Sequence, residues 1–164
     1  MNLQFNPVTD SKEYRNALGR FATGVVVVTT IYEGRKFGIT VNSFSSVSLD
    51  PPMVLWSPDK SSERHEAFVN TAHYAVHVLS AEQKPICDAF AKSPFAFDQF
   101  DHTNNKNGIP ILNDCLAVFE CQKSEMVDAG DHTVILGQVD NVQIHKTGDS
   151  LIFAHGAFST AKSA

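Results

Sequence analysis

Residues 25–32 read VVVVTTIY, and seven of these eight side chains branch at Cβ. Branching there restricts χ1 against a helical turn and suits a pleated strand. Glu33-Gly34 follows as a turn into a second strand over residues 36–41, so the pair predicts a β-hairpin. Further strands are expected at 53–57, 74–79, 117–123, 132–145 and 151–154, with Pro51 and Pro52 stopping the third from extending backwards. Helices are fewer. Asp10 can cap one, with Glu13 three residues on and Tyr14, Ala17, Leu18, Phe21 and Ala22 at helical spacing before Gly24. Ser61 or Ser62 can cap a second that runs to about Val69. Ser80 and Gln83 form a capping-box pair ahead of a third carrying Ile86, Ala89, Phe90 and Ala91, in which Pro85 sits awkwardly. Residues 96–108 read as a loop.

Six or seven strands joined by turns, with three short helices, predict a mainly β chain closed as an antiparallel barrel. No strand leads into GxGxxG and no P-loop is present, which disfavours a doubly wound dinucleotide fold. Nothing in the pattern divides residues 1–164, so one domain is expected. A net charge of −5 with scattered Lys and Arg argues against nucleic-acid binding. Three cysteines without CxxC spacing imply no disulfide framework and suit a reducing, cytoplasmic setting. Residues 1–10 lack a signal-peptide pattern, and no apolar run approaches a membrane span.

Three polar clusters could carry chemistry. Residues 38–52, GITVNSFSSVSLDPP, place Ser43, Ser45, Ser46 and Ser48 on a stretch with almost no bulk. Such a run suits the polar edge of a planar ligand, though an ordinary serine-rich loop has the same composition. Residues 57–62 offer Lys60, Ser61 and Ser62 at an expected helix start, where an anion such as phosphate would fit; a solvent-facing cap reads the same way. Gly130-Asp131-His132 stands before an apolar strand and puts a histidine at a barrel rim, as a substrate contact or as a turn residue without a task. Metal binding is not expected. His73 and His77 fall on one strand face about 13 Å apart, too far to share an ion. His65-Glu66 lacks a second histidine, while His102, His145 and His155 have no partners at useful spacing. The cysteines read as packing, and no GxSxG elbow suggests a serine hydrolase.

In order and spacing, Phe21-Ala22-Thr23-Gly24-Val25, residues 38–52, Leu79-Ser80 with Gln83, Phe90-Ala91, Gly108-Ile109-Pro110, Gly130-Asp131-His132 and Gly156 with Phe158 resemble the flavin reductase-like family. The resemblance implies a split β-barrel FMN-binding fold, an antiparallel Greek-key barrel with short flanking helices, and a homodimer. It implies reduction of FMN or FAD by NADH or NADPH, with the reduced flavin passed to a flavin-dependent monooxygenase. By position, Thr40, Val41, Asn42, Ser43, Ser46, Val47 and Ser48 would line the flavin ring and ribityl chain. Lys60, Ser61 and Ser62 would meet the phosphate, Phe90, Ala91 and Lys92 would close the pocket, and His132 would face the nicotinamide. Reduction of ferric iron or a corrinoid cobalt through the flavin, and a non-catalytic FMN-binding electron carrier, stay open as alternatives.

Overall fold

The valines at 25–28 run consecutively, not at every second position, because both faces of this strand are buried. In a computed structural model describing residues 4–144 and 147–163, Val25 and Val27 enter one core with Leu79, Cys87, Phe90 and Leu112. Val26 and Val28 enter a second core with Trp56, Phe68, Tyr74 and Ile135. Strand side chains alternate faces, so consecutive valines serve the two cores in turn. Each fully buried valine is worth roughly 1.5–3 kcal/mol over an exposed one.

Along the chain come α1 (Ser11–Leu18), β1 (Thr23–Gly24), β2 (Val26–Tyr32), β3 (Arg35–Val41), β4 (Ser45–Leu49) and β5 (Pro52–Trp56). Next are α2 (His65–Asn70), β6 (His73–Val78), α3 (Lys84–Lys92), β7 (His102–Asn104) and β8 (Pro110–Leu112). The chain closes with the long pair β9 (Ala117–Ala129) and β10 (His132–Gln143), then β11 (Ser150–Ala154) and β12 (Ala157–Ala161). Seven strands form one antiparallel sheet in the order β3-β2-β6-β9-β10-β5-β4; β1-β11-β12 and β7-β8 form two smaller sheets. This is the mainly antiparallel architecture expected from the sequence.

Polar groups tie the layers together. His77 is fully buried, and its Nε2 accepts the Leu112 N–H at 3.1 Å. The proton therefore sits on Nδ1, which donates to the Val27 carbonyl at 3.0 Å, so a neutral imidazole joins β6, β2 and β8. Thr29 Oγ1 donates to Pro110 O and Thr30 Oγ1 to His73 O, at 2.6 and 2.7 Å. Glu120 accepts amide hydrogens from Asn105, Asn141 and Gln143, all at 2.7 Å, binding the β7–β8 connection to the end of β10.

Several elements depart from the pattern reading. α1 starts as expected, with Glu13 N–H donating to Asp10 Oδ1 at 3.3 Å, but it stops at Gly19, because the next residues join a sheet as β1 against β11. The serine segment forms the edge strand β4, which pairs with β5. α2 begins at His65, not near Ser61, and no side chain caps it. Pro85 occupies the first turn of α3, where its missing N–H is of no consequence, so the helix is unbroken. The expected loop at 96–108 contains a short 3₁₀ turn (Ala96–Gln99) and β7. His145 lies outside the described residues. No helix among the described residues is long and apolar enough to cross a membrane.

Candidate functional site

The site grows from the open edge of β3. Gly38 lies where α3 meets this strand, and a Cβ there would stand 2.4 Å from Cδ1 of the Phe90 ring; only glycine permits that approach. Gly38 N–H donates outward to Pro94 O at 2.9 Å, and Gly38 O accepts from Arg64 Nε at 3.3 Å. On an edge strand, alternate residues turn their main-chain groups the same way, so Thr40 also presents its N–H and C=O outward. The Thr40 hydroxyl points to α3 and donates to Cys87 O at 2.7 Å.

Past β3, Ser43 Oγ accepts the Ser57 N–H at 3.0 Å and lies 3.3 Å from Ser57 O, stapling the ends of β3 and β5. From Ser57 the chain turns back along the start of β10. Thr133 N–H donates to Pro58 O and Lys60 N–H to Asp131 O, at 3.1 and 2.9 Å, which sets Asp59 opposite His132. Asp131 Oδ1 lies 2.7 Å from His132 Nδ1 and fixes a proton there, leaving Nε2 as the ring's second polar atom. The hydroxyl and amide of Ser61 hold the Asp59 carboxyl below its usual range, each at 2.7 Å.

These pieces enclose a cleft of about 310 Å³, the scale of a small-molecule site. β3 and its exit give Ile39, Thr40, Val41, Asn42 and Ser43; the turn gives Ser57, Asp59, Ser62 and Arg64; α3 gives Phe90 and Ala91; and His132 stands at the rim. Thr40, Val41 and Asn42 also line an adjoining space of about 170 Å³ with Phe153 and Phe158, whose rings lie 5.2 Å apart. Asn42 continues into a third hollow, about 710 Å³, bounded by α1 and by Arg20, Phe21 and His155. Together they make a trough with polar backbone on one edge, aromatic rings on another and a guanidinium at one end.

The structure thus gathers Thr40, Val41, Asn42, Ser43, Ser62, Phe90, Ala91 and His132 around one space. Ser46, Val47 and Ser48 lie on β4, outside this lining, and Lys92 is exposed. Lys60 and Ser61 are also outside it. Lys60 Nζ contacts Asp128 and donates to Gly130 O at 2.5 Å, which latches the turn to the β9–β10 connection. The sequence reading missed Ile39, Ser57, Asp59 and Arg64. A helix cap placed two or three residues too early put Arg64 inside the helix as an ordinary cation; the signal available was an arginine three residues before the apolar pair Ala67-Phe68.

No three His, Cys, Asp or Glu side chains converge among the described residues. Burial pushes the Cys115 and Cys121 thiols up to about 12 and Cys87 up to about 11, which removes nucleophilic thiolate from consideration.

Residues 18–162 match the family model described as "Flavin reductase like domain". The chain is 51% identical to the FMN reductase (NADH) SmoA of Agrobacterium fabrum, over 91% of this chain and 85% of that protein. It is 39% identical to the reductase component of a flavin-dependent trigonelline monooxygenase from Acinetobacter baylyi, over 84% of this chain but 45% of that longer protein. Among solved structures, the NADH:FAD oxidoreductase SgcE6 of Streptomyces globisporus superposes with a TM-score of 0.92 at 32% identity, covering 100% of this chain and 94% of that one.

Proposed function

This chain belongs to the flavin reductase-like family, and on that premise we propose that it uses NADH to reduce FMN or FAD and supplies the reduced flavin to a partner monooxygenase. One observation carries the reading: a single cleft offers an open strand edge, an aromatic side and a cationic end. That donor set fits a flat ring system with a polar rim and an anionic tail.

When bound, a flavin accepts hydride at N5 from C4 of the reduced nicotinamide. The chain's own part is to hold and orient. The outward main-chain groups of Thr40 would meet the polar rim of a bound flavin, and fixed amides stabilise developing negative charge without reorganising. Phe90 and Ala91 line one side of the cleft. His132, held by Asp131 and paired through the backbone with Asp59, orients the nicotinamide and need not move a proton. Ser62 lies toward the phosphate end.

The molecule pairs with a second copy of itself. Support comes from Tyr14, Leu18 and Phe21, which are 47%, 56% and 78% exposed on or just after α1, beside the hollow of about 710 Å³. Apolar side chains exposed together in this way are characteristic of association faces. Sedimentation should give twice the chain mass, and Phe21→Glu should reduce it.

A visible spectrum of the protein with FMN, followed through anaerobic NADH addition, tests the function. Flavin bands that bleach at a catalytic rate support it. Bands that stay, with FMN bound, would leave only the electron-carrier reading. Assays with ferric and corrinoid acceptors then identify where the electrons go.

A further inference from the structure

Arg64 is the one cationic side chain in the lining of the flavin cleft, and no carboxylate pairs with it among the described residues. It is half-buried and fixed by main-chain carbonyls. Nε donates to Gly38 O at 3.3 Å, and one terminal nitrogen, Nη2, reaches Phe90 O and Ala91 O, each at 3.4 Å. Those two carbonyls belong to the last turn of α3, where helical carbonyls lack partners and carry partial negative charge. Arg64 therefore caps α3 from the side and neutralises the helix end that would otherwise repel an anion. Its Nη1 has no hydrogen-bond partner among the described residues, so a rigidly held edge of the guanidinium remains for a ligand.

The other cation near this cleft is already engaged. Lys60 is held by Asp128 and Gly130 O, and it stands outside the lining. Asp59 also enters the cleft, but on the His132 side, with Oδ1 bound by Ser61. An anionic tail would thus settle away from Asp59, between Ser62 and the C-terminal end of α3.

We propose that Arg64, and not Lys60, is the residue with which this cleft recognises the flavin's phosphate, using the guanidinium edge left free after it caps α3. This rests on the cleft being the flavin site. A planar fork matches phosphate geometry better than an ammonium, so the contact also selects phosphorylated flavins over riboflavin.

The test is a titration of the whole protein with FMN and with riboflavin, comparing wild type with Arg64→Gln, Arg64→Lys and Lys60→Gln. Wild type should prefer FMN, the more so at low salt. Arg64→Gln should weaken FMN by roughly 10- to 100-fold, the range for a lost charge-assisted hydrogen bond, and riboflavin by less than about 3-fold. Arg64→Lys, which keeps one charge without the fork, should give an intermediate FMN-to-riboflavin ratio, and Lys60→Gln the wild-type ratio. Equal weakening of both ligands in Arg64→Gln would mean that Arg64 only caps the helix, and would overturn the assignment. So would a ratio that collapses in Lys60→Gln, or a wild type that binds both ligands equally. Should Arg64→Gln not fold, an unchanged ratio in Arg64→Lys does the same. A wild type that binds neither ligand defeats the flavin reading itself, a result distinct from all of these.

Discussion

Replacing Gly38 with alanine should damage stability and flavin binding together. The new Cβ would meet Phe90 Cδ1 at 2.4 Å and Cε1 at 2.5 Å, against a comfortable carbon–carbon separation of about 3.5–4.0 Å. The ring must retreat by about 1 Å or more, yet it is fully buried, with the Phe97 ring centroid 4.9 Å away and Phe100 6.2 Å away. Overpacking of this kind costs about 1–3 kcal/mol, and relief by moving α3 would loosen the Thr40–Cys87 and Arg64–Phe90 bonds as well. Taking about 2–3 kcal/mol, and roughly 2–4 °C per kcal/mol for a chain this long, Tm should fall by roughly 4–12 °C. Because the displaced groups line the cleft, FMN affinity should fall too. Thermal melting and fluorescence titration measure both effects, with Gly24→Ala as control, since nothing lies within 4 Å of a Cβ built there. In the Gly38→Ala background, Phe90→Leu should recover part of the loss, a coupling of about 0.5 kcal/mol or more. A Gly38→Ala protein with unaltered Tm and FMN affinity would refute the reasoning.

His132→Ala should lower NADH turnover while leaving FMN affinity nearly intact; equal loss of flavin binding would remove His132 from the nicotinamide side. His77→Ala should destabilise the fold by about 1–3 kcal/mol in denaturant titration, since it takes the acceptor from the buried Leu112 N–H. Burial pushes the Glu120 carboxyl up, but hydrogen bonds from Asn141, Asn105 and Gln143, with the charge of Lys106, outweigh it and hold the group below its usual range. Its ionised form therefore stabilises the fold above the ordinary glutamate pKa and stops doing so as pH falls through the lowered value. Glu120→Gln should accordingly be less stable than wild type at pH 7, with the gap closing in acid; a gap independent of pH would contradict this. Cys87, Cys115 and Cys121 should resist alkylation at pH 8 in the native protein and react on unfolding, as mass spectrometry would report.

The architecture was legible wherever a local rule acts alone. The branched run at 25–32 could only be a strand, and Asp10 with Glu13 marked the start of α1. What escaped depended on distant partners. β1 is two residues long and exists because β11 lies beside it. β4 has weak strand composition and pairs only because β5 offers an edge. The site divided along the same line. Thr40 to Ser43, Phe90, Ala91 and His132 share one cleft, a grouping that the family resemblance implied and spacing alone did not. A serine hydroxyl, however, does not declare in sequence what it will bond, and Ser43 is committed to Ser57. Lys60 and Arg64 stand four residues apart with the same charge; only the fold decides that one meets Asp128 and the other faces the cleft.

Four successive valines that fill both cores leave β2 without a distinctive inside and outside. A slip by one residue would merely trade each valine for its neighbour, at little cost in apolar burial. Alignment must then come from groups that tolerate only one partner: the hydroxyls of Thr29 and Thr30, each aimed at a single carbonyl, and the imidazole that claims Val27 O. In this molecule the oily residues supply adhesion, and three polar side chains act as locating pins that tell the sheet where to stop sliding.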